Sequence, residues 1–176
     1  MTASPTIQRL TADQLIAELH GLCALLEDCV EGGASIGFLW PMVDGEAEAY
    51  WRSTTDAISD GSKILLVARD DDGAIVGSGQ LDLATRANGM HRAEVAKLMV
   101  LRSARNQGIG RALMLALEDQ ARTHNRTTLV LDTFLDGGAE NLYRALGWTE
   151  AGRVPLYAAW PDGTKGTTVY YYKLLE

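Results

Sequence analysis

The amino-acid sequence predicts an α/β fold, or α+β under stricter naming, with helices on the faces of a mixed sheet. Two observations support this fold class. In the middle of the chain, strand-like apolar runs alternate with helical patterns, and hairpin signals flank that region. The length of 176 residues fits one domain, and no repeat, low-complexity tract or Pro/Ser-rich linker divides it. We therefore expect a single domain over residues 1–176.

Composition indicates an ordinary globular protein with an excess of acidic groups. Hydrophobic residues make up 47% of the chain and charged residues 22%, which is typical of a folded soluble protein. The net charge of −7 argues against a nucleic-acid-binding surface, because such a surface needs clustered Lys and Arg to displace phosphate counterions. An anionic ligand would therefore need a local basic site.

Cysteine, histidine and N-terminal patterns indicate a cytoplasmic protein without a metal. Cys23 and Cys29 face different directions on a helix, so neither a mutual disulfide nor a metal site is expected. The histidines lack the spacing of metal ligands; they are His20, His91 and His124. The segment from Met1 to Leu10 lacks a charged and apolar signal pattern, and no apolar run approaches the roughly 20 residues that span a bilayer. We expect no export and no membrane anchor.

Two amphipathic helices are predicted in the first third of the chain. The segment Thr11–Gln14 has the spacing of a capping box, and a leucine pattern follows until Gly32-Gly33. A second helix begins with the acidic segment Asp44–Glu48 and ends at Gly61. The residues on the two apolar faces are Leu15, Leu19, Leu22 and Leu26 in the first helix, and Ala47, Tyr50, Trp51, Thr54 and Ile58 in the second. A short strand before the first helix is compatible with the pattern.

After Gly61 the hydrophobic pattern changes from the period of a helix to that of strands. An apolar run at Ile64–Ala68 and a second at Ile75–Leu83 enclose the turn signal Asp71-Asp72-Gly73, and Val95–Leu101 forms a third strand. Later segments are a helix from Gly108 to about His124, a strand at Leu129–Leu131, a short helix at Ala139–Leu146, and two strands flanking Pro161-Asp162-Gly163. The predicted order is ααβββαβαββ.

The helix that begins near Gly108 is predicted to have one apolar face and one polar face. Leu115 is the exception, since this apolar residue lies towards the polar side. The apolar face comprises Ile109, Ala112, Leu113, Ala116 and Leu117, and the polar face comprises Arg111, Glu118 and Arg122.

The start of that helix is a candidate phosphate site. Gly108 and Gly110 lie in the first turn, where backbone N–H groups lack intrahelical acceptors. Four basic residues and no acidic residue occur between positions 97 and 111, namely Lys97, Arg102, Arg105 and Arg111. A close-packed helix start is the alternative explanation. The chain lacks the phosphate-loop lysine motif and the full dinucleotide fingerprint, which favours a different phosphorylated cofactor.

Two segments resemble the signatures of the GNAT acetyltransferase superfamily. Arg105–Gly110 matches the Arg/Gln-x-x-Gly-x-Gly/Ala signature, and Ala139–Trp148 is similar to the second signature of that superfamily. The likeness extends to its tabtoxin-resistance branch, through Gly32–Phe38, Arg92–Val95, Lys97–Leu101 and Leu131–Thr133. The resemblance implies a mostly antiparallel sheet of six to seven strands, splayed at the cofactor site, with about four helices.

The resemblance also implies acetyl-CoA as cosubstrate. Arg105 and Asn106 are expected to bind the cofactor together with the segment that follows them. In that segment, the N–H groups that would contact the pyrophosphate are those of Gln107, Gly108, Ile109, Gly110 and Arg111. The pantetheine arm would pair like an extra strand with the backbone of Leu98, Met99 and Val100. Many members carry an asparagine where this sequence has Asp136, so that cofactor contact is in doubt here.

Three residues are candidates for the transfer chemistry, which needs a proton acceptor for the amine and a donor for the thiolate. Tyr143 occupies the tyrosine position of the second signature and is the candidate acid; without the resemblance it reads as a core tyrosine. Asp132 is the first candidate base, although an aspartate after the strand Leu129–Leu131 could instead cap a turn. Glu94 is the second, acting through water; its alternative is an exposed strand residue paired with Arg92 or Arg126.

The acceptor is expected to be a primary amine of a small molecule. By resemblance, the acceptor pocket takes acidic and aromatic residues from the first helices and the last strands: Glu27, Asp28, Glu31, Phe38, Trp40, Tyr157 and Trp160. An amino-acid-like or dipeptide-like toxin or antibiotic is the first choice, which implies a role in resistance. The alternatives are a protein or peptide amine, a non-catalytic acyl-CoA sensor, and an enzyme that uses another nucleotide. A monomer or homodimer is expected.

Overall fold

The computed structural model describes residues 5–176, so the expectation for Met1–Leu10 lies partly outside the described residues. The strands are β1 Thr6–Leu10, β2 Lys63–Arg69, β3 Ile75–Leu83, β4 Arg92–Val100, β5 Thr128–Phe134, β6 Thr149–Ala159 and β7 Lys165–Leu174. The helices are α1 Ala12–Ala17, α2 Leu19–Glu31, α3 Glu46–Ser53, α4 Thr55–Ser59, α5 Ile109–Thr123 and α6 Glu140–Ala145. The element order agrees with the prediction and includes the short strand before the first helix.

The strands form one sheet of seven strands, in the order β1-β2-β3-β4-β5-β7-β6. Neighbouring strands are antiparallel except β4 and β5, which are parallel. These two pair only from Arg92 with Thr128 to Glu94 with Val130, and beyond that point they share no ladder. The predicted mixed, mostly antiparallel and splayed sheet is therefore confirmed.

Each of the first two predicted helices is broken into two. The capping box is present, because the Thr11 side chain accepts from the Gln14 N–H and the Gln14 side chain accepts from Thr11. The break between α3 and α4 coincides with three consecutive hydroxyl side chains, at Ser53, Thr54 and Thr55, each donating to the carbonyl three residues earlier. Such side-chain bonds compete with the helical backbone pattern, which explains the interruption.

Two apolar cores lie on opposite faces of the sheet. One core packs α1 to α4 against the sheet and includes Leu15, Leu22, Leu26 and Trp51, as the helical patterns predicted. The other packs α5 and α6 against the opposite face and includes Leu113. Within residues 5–176, no helix is long and apolar enough to cross a membrane.

The polar face predicted for α5 is wrong at Glu118. This side chain is only 3% exposed, and it accepts two hydrogen bonds from Lys173 Nζ, at 2.7 and 2.8 Å, and one from Trp148 Nε1. The reason is that Trp148 and Lys173 of β7 cover the side of α5 that carries Glu118. The helix is therefore buried on part of its polar face as well as on its apolar face. Leu115 lies on the exposed side, as expected.

Candidate active site

A cavity of about 500 Å³ opens where β4 and β5 separate. The ends of the two strands, the connection after α2, and α6 form its walls. Its lining includes Ala34–Leu39, Glu94–Leu98, Asp132–Phe134, Gly137, Ala139, Tyr143, Ala158, Ala159 and Thr168. The splayed strands thus bring all three predicted catalytic residues to one cavity.

The two candidate bases lie on neighbouring strands of this cavity. Glu94 is the last residue of β4 that pairs with β5, and Asp132 lies inside β5, because the strand continues to Phe134. The alternative of a strand-end Asp132 that caps a turn is therefore wrong. Glu94 forms no ion pair with any residue between 5 and 176, so its predicted alternative partners do not hold it.

Both carboxyl groups have raised pKa values although both side chains reach solvent. The cavity walls displace part of the water around them, and this desolvation is the largest cause for each pKa shift. The charge of Asp132 raises the pKa of Glu94 further, whereas Lys97 lowers the pKa of Asp132. The cavity therefore holds two carboxylates that take up protons more readily than exposed ones do.

Tyr143 on α6 is both a packed core residue and a cavity residue. Its ring contacts those of Trp148 and Tyr171, with centroid distances of 6.3 and 5.9 Å. Burial raises the pKa of its phenol well above the ordinary value of 10.0, so the hydroxyl stays protonated at neutral pH. The nearby Tyr171 hydroxyl donates to Glu140 at 2.8 Å, whereas the Tyr143 hydroxyl forms no hydrogen bond within the described part of the chain.

The loop before α6 explains how Asp136 is accommodated. Asp136 has a φ of +63° and Gly138 one of +84°, both in the left-handed region that glycine, asparagine and aspartate tolerate. The Asp136 N–H donates to Glu140 at 2.7 Å, which ties the loop to α6. Aspartate therefore supports the conformation that asparagine would adopt there.

The start of α5 presents a run of unpaired donors. Asn106 and Gly108 have φ values of +61° and +81°, and the first helical bond runs from the Ala112 N–H to the Gly108 carbonyl, at 3.0 Å. Across residues 5–176, the N–H groups of 107–111 have no backbone or side-chain acceptor. Successive N–H groups around left-handed residues form an anion-binding concavity, to which the helix dipole adds.

The predicted basic cluster around this turn is divided in the structure. Arg102 pairs with Asp28, at 2.8 Å, and with Glu31, so it fastens the turn after β4 to α2. Lys97 lies in the cavity. Arg105 and Arg111 remain exposed near the unpaired donors, and Arg105 Nε donates to the Val100 carbonyl at 3.3 Å. The anion site therefore has two of the four predicted cations.

The predicted acceptor residues do not form one pocket. Phe38 lines the cavity between β4 and β5, whereas Trp40, Trp160 and Glu31 line a second cavity of about 430 Å³. Asp28 and Glu31 are held by Arg102, and Tyr157 is exposed with its ring against Tyr170. Glu27 is an exposed residue of α2. Lys97 was predicted at the phosphate site, but an irregularity of β4, which no sequence pattern signals, places this residue in the cavity.

The strand β4 leaves one edge available beside the cavity. Its other edge pairs with β3, where Met99 is opposite Ser78 and Val100 is opposite Gly77. The Val100 carbonyl also accepts from the thiol of Cys29, at 3.4 Å, and both cysteines are free. In the described range 5–176, no cluster of three or more His, Cys, Asp or Glu residues is arranged for a metal ion.

Comparisons with known proteins agree on one family. Residues 19–148 match the model of the acetyltransferase (GNAT) family. Over 117 residues the chain is 34% identical to a protein of Azospirillum brasilense described as an uncharacterized N-acetyltransferase in the hisH-hisA intergenic region, which covers 65% of this chain and 67% of that protein.

Two solved structures of known acetyltransferases show the same fold. The ribosomal-protein-alanine N-acetyltransferase from Brucella melitensis has a TM-score of 0.78 at 24% identity, over 97% of this chain and 99% of its own. The phosphinothricin acetyltransferase from Sinorhizobium meliloti, in complex with AcCoA, has a TM-score of 0.77 at 22% identity, over 98% and 89%. The likeness at these identities concerns the fold.

Proposed function

The chain belongs to the GNAT acetyltransferase family, and from this premise we propose that it transfers the acetyl group of acetyl-CoA to the primary amine of a small molecule. The observation that carries the proposal is the cavity at the opening of the sheet, where Glu94, Asp132 and Tyr143 converge beside the free edge of β4. These residues are the groups that amine acetylation needs: carboxylates near the amine and a donor near the thiolate.

The chain's backbone is suited to hold acetyl-CoA. The unpaired N–H groups of residues 107–111 can donate to the pyrophosphate, and a Cβ at Gly108 would meet no atom within 4 Å, so the approach is open. Arg105 and Arg111 add positive charge, and the edge of β4 at Leu98–Val100, which shares no ladder with β5, can pair with an extended amide chain. The Val100 carbonyl already accepts from Cys29 and Arg105, so the chain would use the other groups of this edge. Acetyl-CoA, when bound, supplies the activated acetyl thioester.

We assign Asp132 as the base and Glu94 as a second carboxylate that acts through water. An amine attacks a thioester only after losing a proton, and a carboxylate with a raised pKa accepts that proton more readily at neutral pH. As the new C–N bond forms, the C–S bond breaks and the electron pair leaves with the sulfur. The nitrogen, positively charged after attack, releases its second proton to solvent, so that the product is a neutral amide. Asp132 or Glu94 then passes the first proton to solvent.

Tyr143 is assigned to the leaving thiolate. Because its pKa is raised, the phenol is a poor acid for complete proton transfer but a protonated hydrogen-bond donor throughout the reaction. Its hydroxyl has no competing partner among residues 5–176. We therefore assign it mainly to hydrogen bonding of the developing thiolate, with full protonation from water.

The dimensions of the cavity favour a small acceptor. Its lining includes Ala34–Leu39, Ala158, Ala159 and Thr168, and its volume of about 500 Å³, which is in the range of small-molecule sites, must also hold the thioester end of acetyl-CoA. The likeness of Gly32–Phe38 to tabtoxin-resistance acetyltransferases supports an amino-acid-like or dipeptide-like acceptor and a detoxifying role in the cytoplasm. The Brucella relative is named for a protein alanine, so a protein or peptide amine is the alternative.

The experiment is a thiol-release assay with acetyl-CoA against amines, amino acids, dipeptides and peptides, with the products identified by mass spectrometry. At least one small amine should give thiol release that matches its acetylation. Preferred acetylation of the peptides would support the protein-directed alternative. Calorimetric binding of acetyl-CoA without any acetylation would indicate a non-catalytic sensor, and tighter binding of ATP or NAD would indicate a different cofactor.

A further inference from the structure

Lys97 places a positive charge inside the cavity that holds the two carboxylates. The residue lies on β4 and lines the cavity together with Glu94 and Asp132. Its ammonium is 5.8 Å from the ring centroid of Phe38 and 5.5 Å from that of Tyr50, so two aromatic rings flank it. This position separates it from the turn at residues 107–111, none of which lines the cavity.

This ammonium has no direct ion-pair partner in the described part of the chain. Within residues 5–176, Lys97 takes part in no ion pair and no side-chain hydrogen bond, whereas the neighbouring Lys63 is bound by Asp82 and Gln80. Burial and the charge of Lys63 lower the pKa of Lys97, and the charges of Asp132, Asp82 and Glu94, none of which forms an ion pair with it, offset part of this shift. The cavity therefore presents a half-buried ammonium that is still able to form a direct ion pair with an anionic ligand.

The backbone at Lys97 is held in an uncommon conformation. Its φ is +51°, and the pairing between β3 and β4 shifts in register between Ser78 and Gln80, next to it. A non-glycine residue in this region is strained and persists where the surroundings enforce it. The irregularity interrupts the alternation of side chains along β4 and coincides with the placement of Lys97 in the cavity.

We propose that Lys97 binds an anionic group of the acceptor, so that the acceptor carries a carboxylate beside the amine that is acetylated. This assignment rests on the proposed function and narrows its acceptor to amino acids and related zwitterions. Asp132 and Glu94 would face the ammonium of the acceptor, and Lys97 its carboxylate, so the cavity offers both charges of an α-amino acid. The rings of Phe38 and Tyr50 shield the ion pair from water.

The test compares acceptors that differ only in the anionic group: amino acids and their primary carboxamides, for example methionine with methioninamide and phenylalanine with phenylalaninamide. The measured quantity is the ratio of kcat/KM for the acid to kcat/KM for the amide. The amide also changes the basicity of the acceptor's amine, and this effect is the same for both proteins. The ratio is therefore compared between wild type and Lys97→Met, so that the effect of basicity cancels.

Lys97→Met should lower this ratio roughly 10- to 100-fold, mainly through KM for the acid, as expected when a hydrogen bond between charged groups is lost. The acetyl-CoA Kd, measured by calorimetry, should not change, and Lys97→Arg should restore most of the ratio. Lys165→Met is the matched control, because it removes the same charge from an exposed lysine outside the cavity and should leave the ratio unchanged.

A ratio unchanged in Lys97→Met would overturn the assignment of Lys97, even if both acceptor series are acetylated and the proposed function stands. Should no acceptor be acetylated, calorimetry of the same amino acids with the CoA-saturated protein replaces kinetics. Amino-acid binding that weakens in Lys97→Met supports the assignment. Equal binding in the variant, or no binding to wild type, contradicts it.

Discussion

At the scale of single residues, surroundings decide the chemistry of the cavity. Asp132 and Glu94 are ordinary carboxylates by sequence, but desolvation by the cavity walls raises the pKa of both, and the charge of Asp132 raises the pKa of Glu94 further. Lys97 is one of four basic residues in a short segment, yet it is the one that lies in this cavity. The residue types were predictable, whereas their electrostatic roles required the positions of their neighbours.

The pH dependence of the rate should distinguish the two candidate bases. A base works only when deprotonated, so kcat/KM should fall as the pH decreases through the raised pKa of Asp132, above the ordinary value of 3.8. Asp132→Asn should lower the rate and remove this acidic limb, while Glu94→Gln should retain it. The measurement is kcat/KM for one acceptor across the pH range, and the reverse result would exchange the two roles.

A stability measurement is the control for that experiment. A carboxyl whose pKa is raised by folding contributes stability at low pH that is lost as the pH rises through the folded-state pKa. Asp132→Asn removes a group that is unfavourably charged at neutral pH, so its midpoint of thermal unfolding at pH 7 should equal or exceed that of wild type. If the midpoint of Asp132→Asn were much lower than that of wild type, the loss of rate would be explained by unfolding and not by loss of the base.

Tyr143→Phe should lower kcat with little change in the acetyl-CoA Kd. If the phenol donates to the departing thiolate, its loss affects the transition state much more than cofactor binding, and a decrease of roughly 10- to 100-fold is expected. Steady-state kinetics and calorimetry give the two values. Because the hydroxyl has no partner within residues 5–176, the ring packing against Trp148 and Tyr171 should persist. Unchanged kcat would leave Tyr143 as a core residue only.

At the scale of elements, the cofactor site depends on how β4 ends and α5 begins. The helix start combines left-handed residues with unpaired N–H groups, and Arg102 binds this junction to α2 through Asp28 and Glu31. The junction is therefore held by side chains that do not touch the proposed ligand. This arrangement leaves the backbone donors themselves free.

Gly108→Val should weaken acetyl-CoA binding strongly, because it adds a branched side chain at the turn and strains a residue with φ +81°. Gly73→Val is the matched control: Gly73 has φ +83° in the turn between β2 and β3, and a Cβ at either glycine would meet no atom within 4 Å. Both variants should lose similar stability in denaturant unfolding. Only Gly108→Val should raise the Kd measured by calorimetry, and equal Kd values would contradict the phosphate site.

At the scale of the whole molecule, acetyl-CoA would lie across the opening of the sheet and contact both the edge of β4 and the start of α5. The strands β4 and β5 pair over three residues and then part, and the cavity lies between them. The protein carries a net charge of −7, so an anionic ligand depends on local donors and on Arg105 and Arg111. Binding should therefore stabilise the entire fold.

Acetyl-CoA at 100 times its Kd should raise the midpoint of thermal unfolding. A ligand that binds only the folded state adds about 2.7 kcal/mol at this concentration, which for a domain of this size is a shift of roughly 5–10 °C. Differential scanning fluorimetry measures the shift. ATP at the same concentration is the control and should change the midpoint little. An equal shift with ATP would contradict specificity for acetyl-CoA.

The fold class, the order of the elements and the glycine turn at the start of α5 were predictable from the sequence. These features follow from local preferences: hydrophobic period separates helices from strands, and glycines and a capping box mark boundaries. The breaks near Glu18 and Thr54 escaped the prediction, since the apolar pattern continues through them.

Which charges are buried, paired or free depends on contacts that form when the elements pack together. Glu118 is buried by β7, Arg102 is bound by α2, and Lys97 lies unpaired beside Asp132 in the cavity. Each outcome depends on contacts between residues far apart in the chain. Periodicity constrains the direction of a side chain within its own element, but desolvation and charge pairing depend on which other elements pack against it.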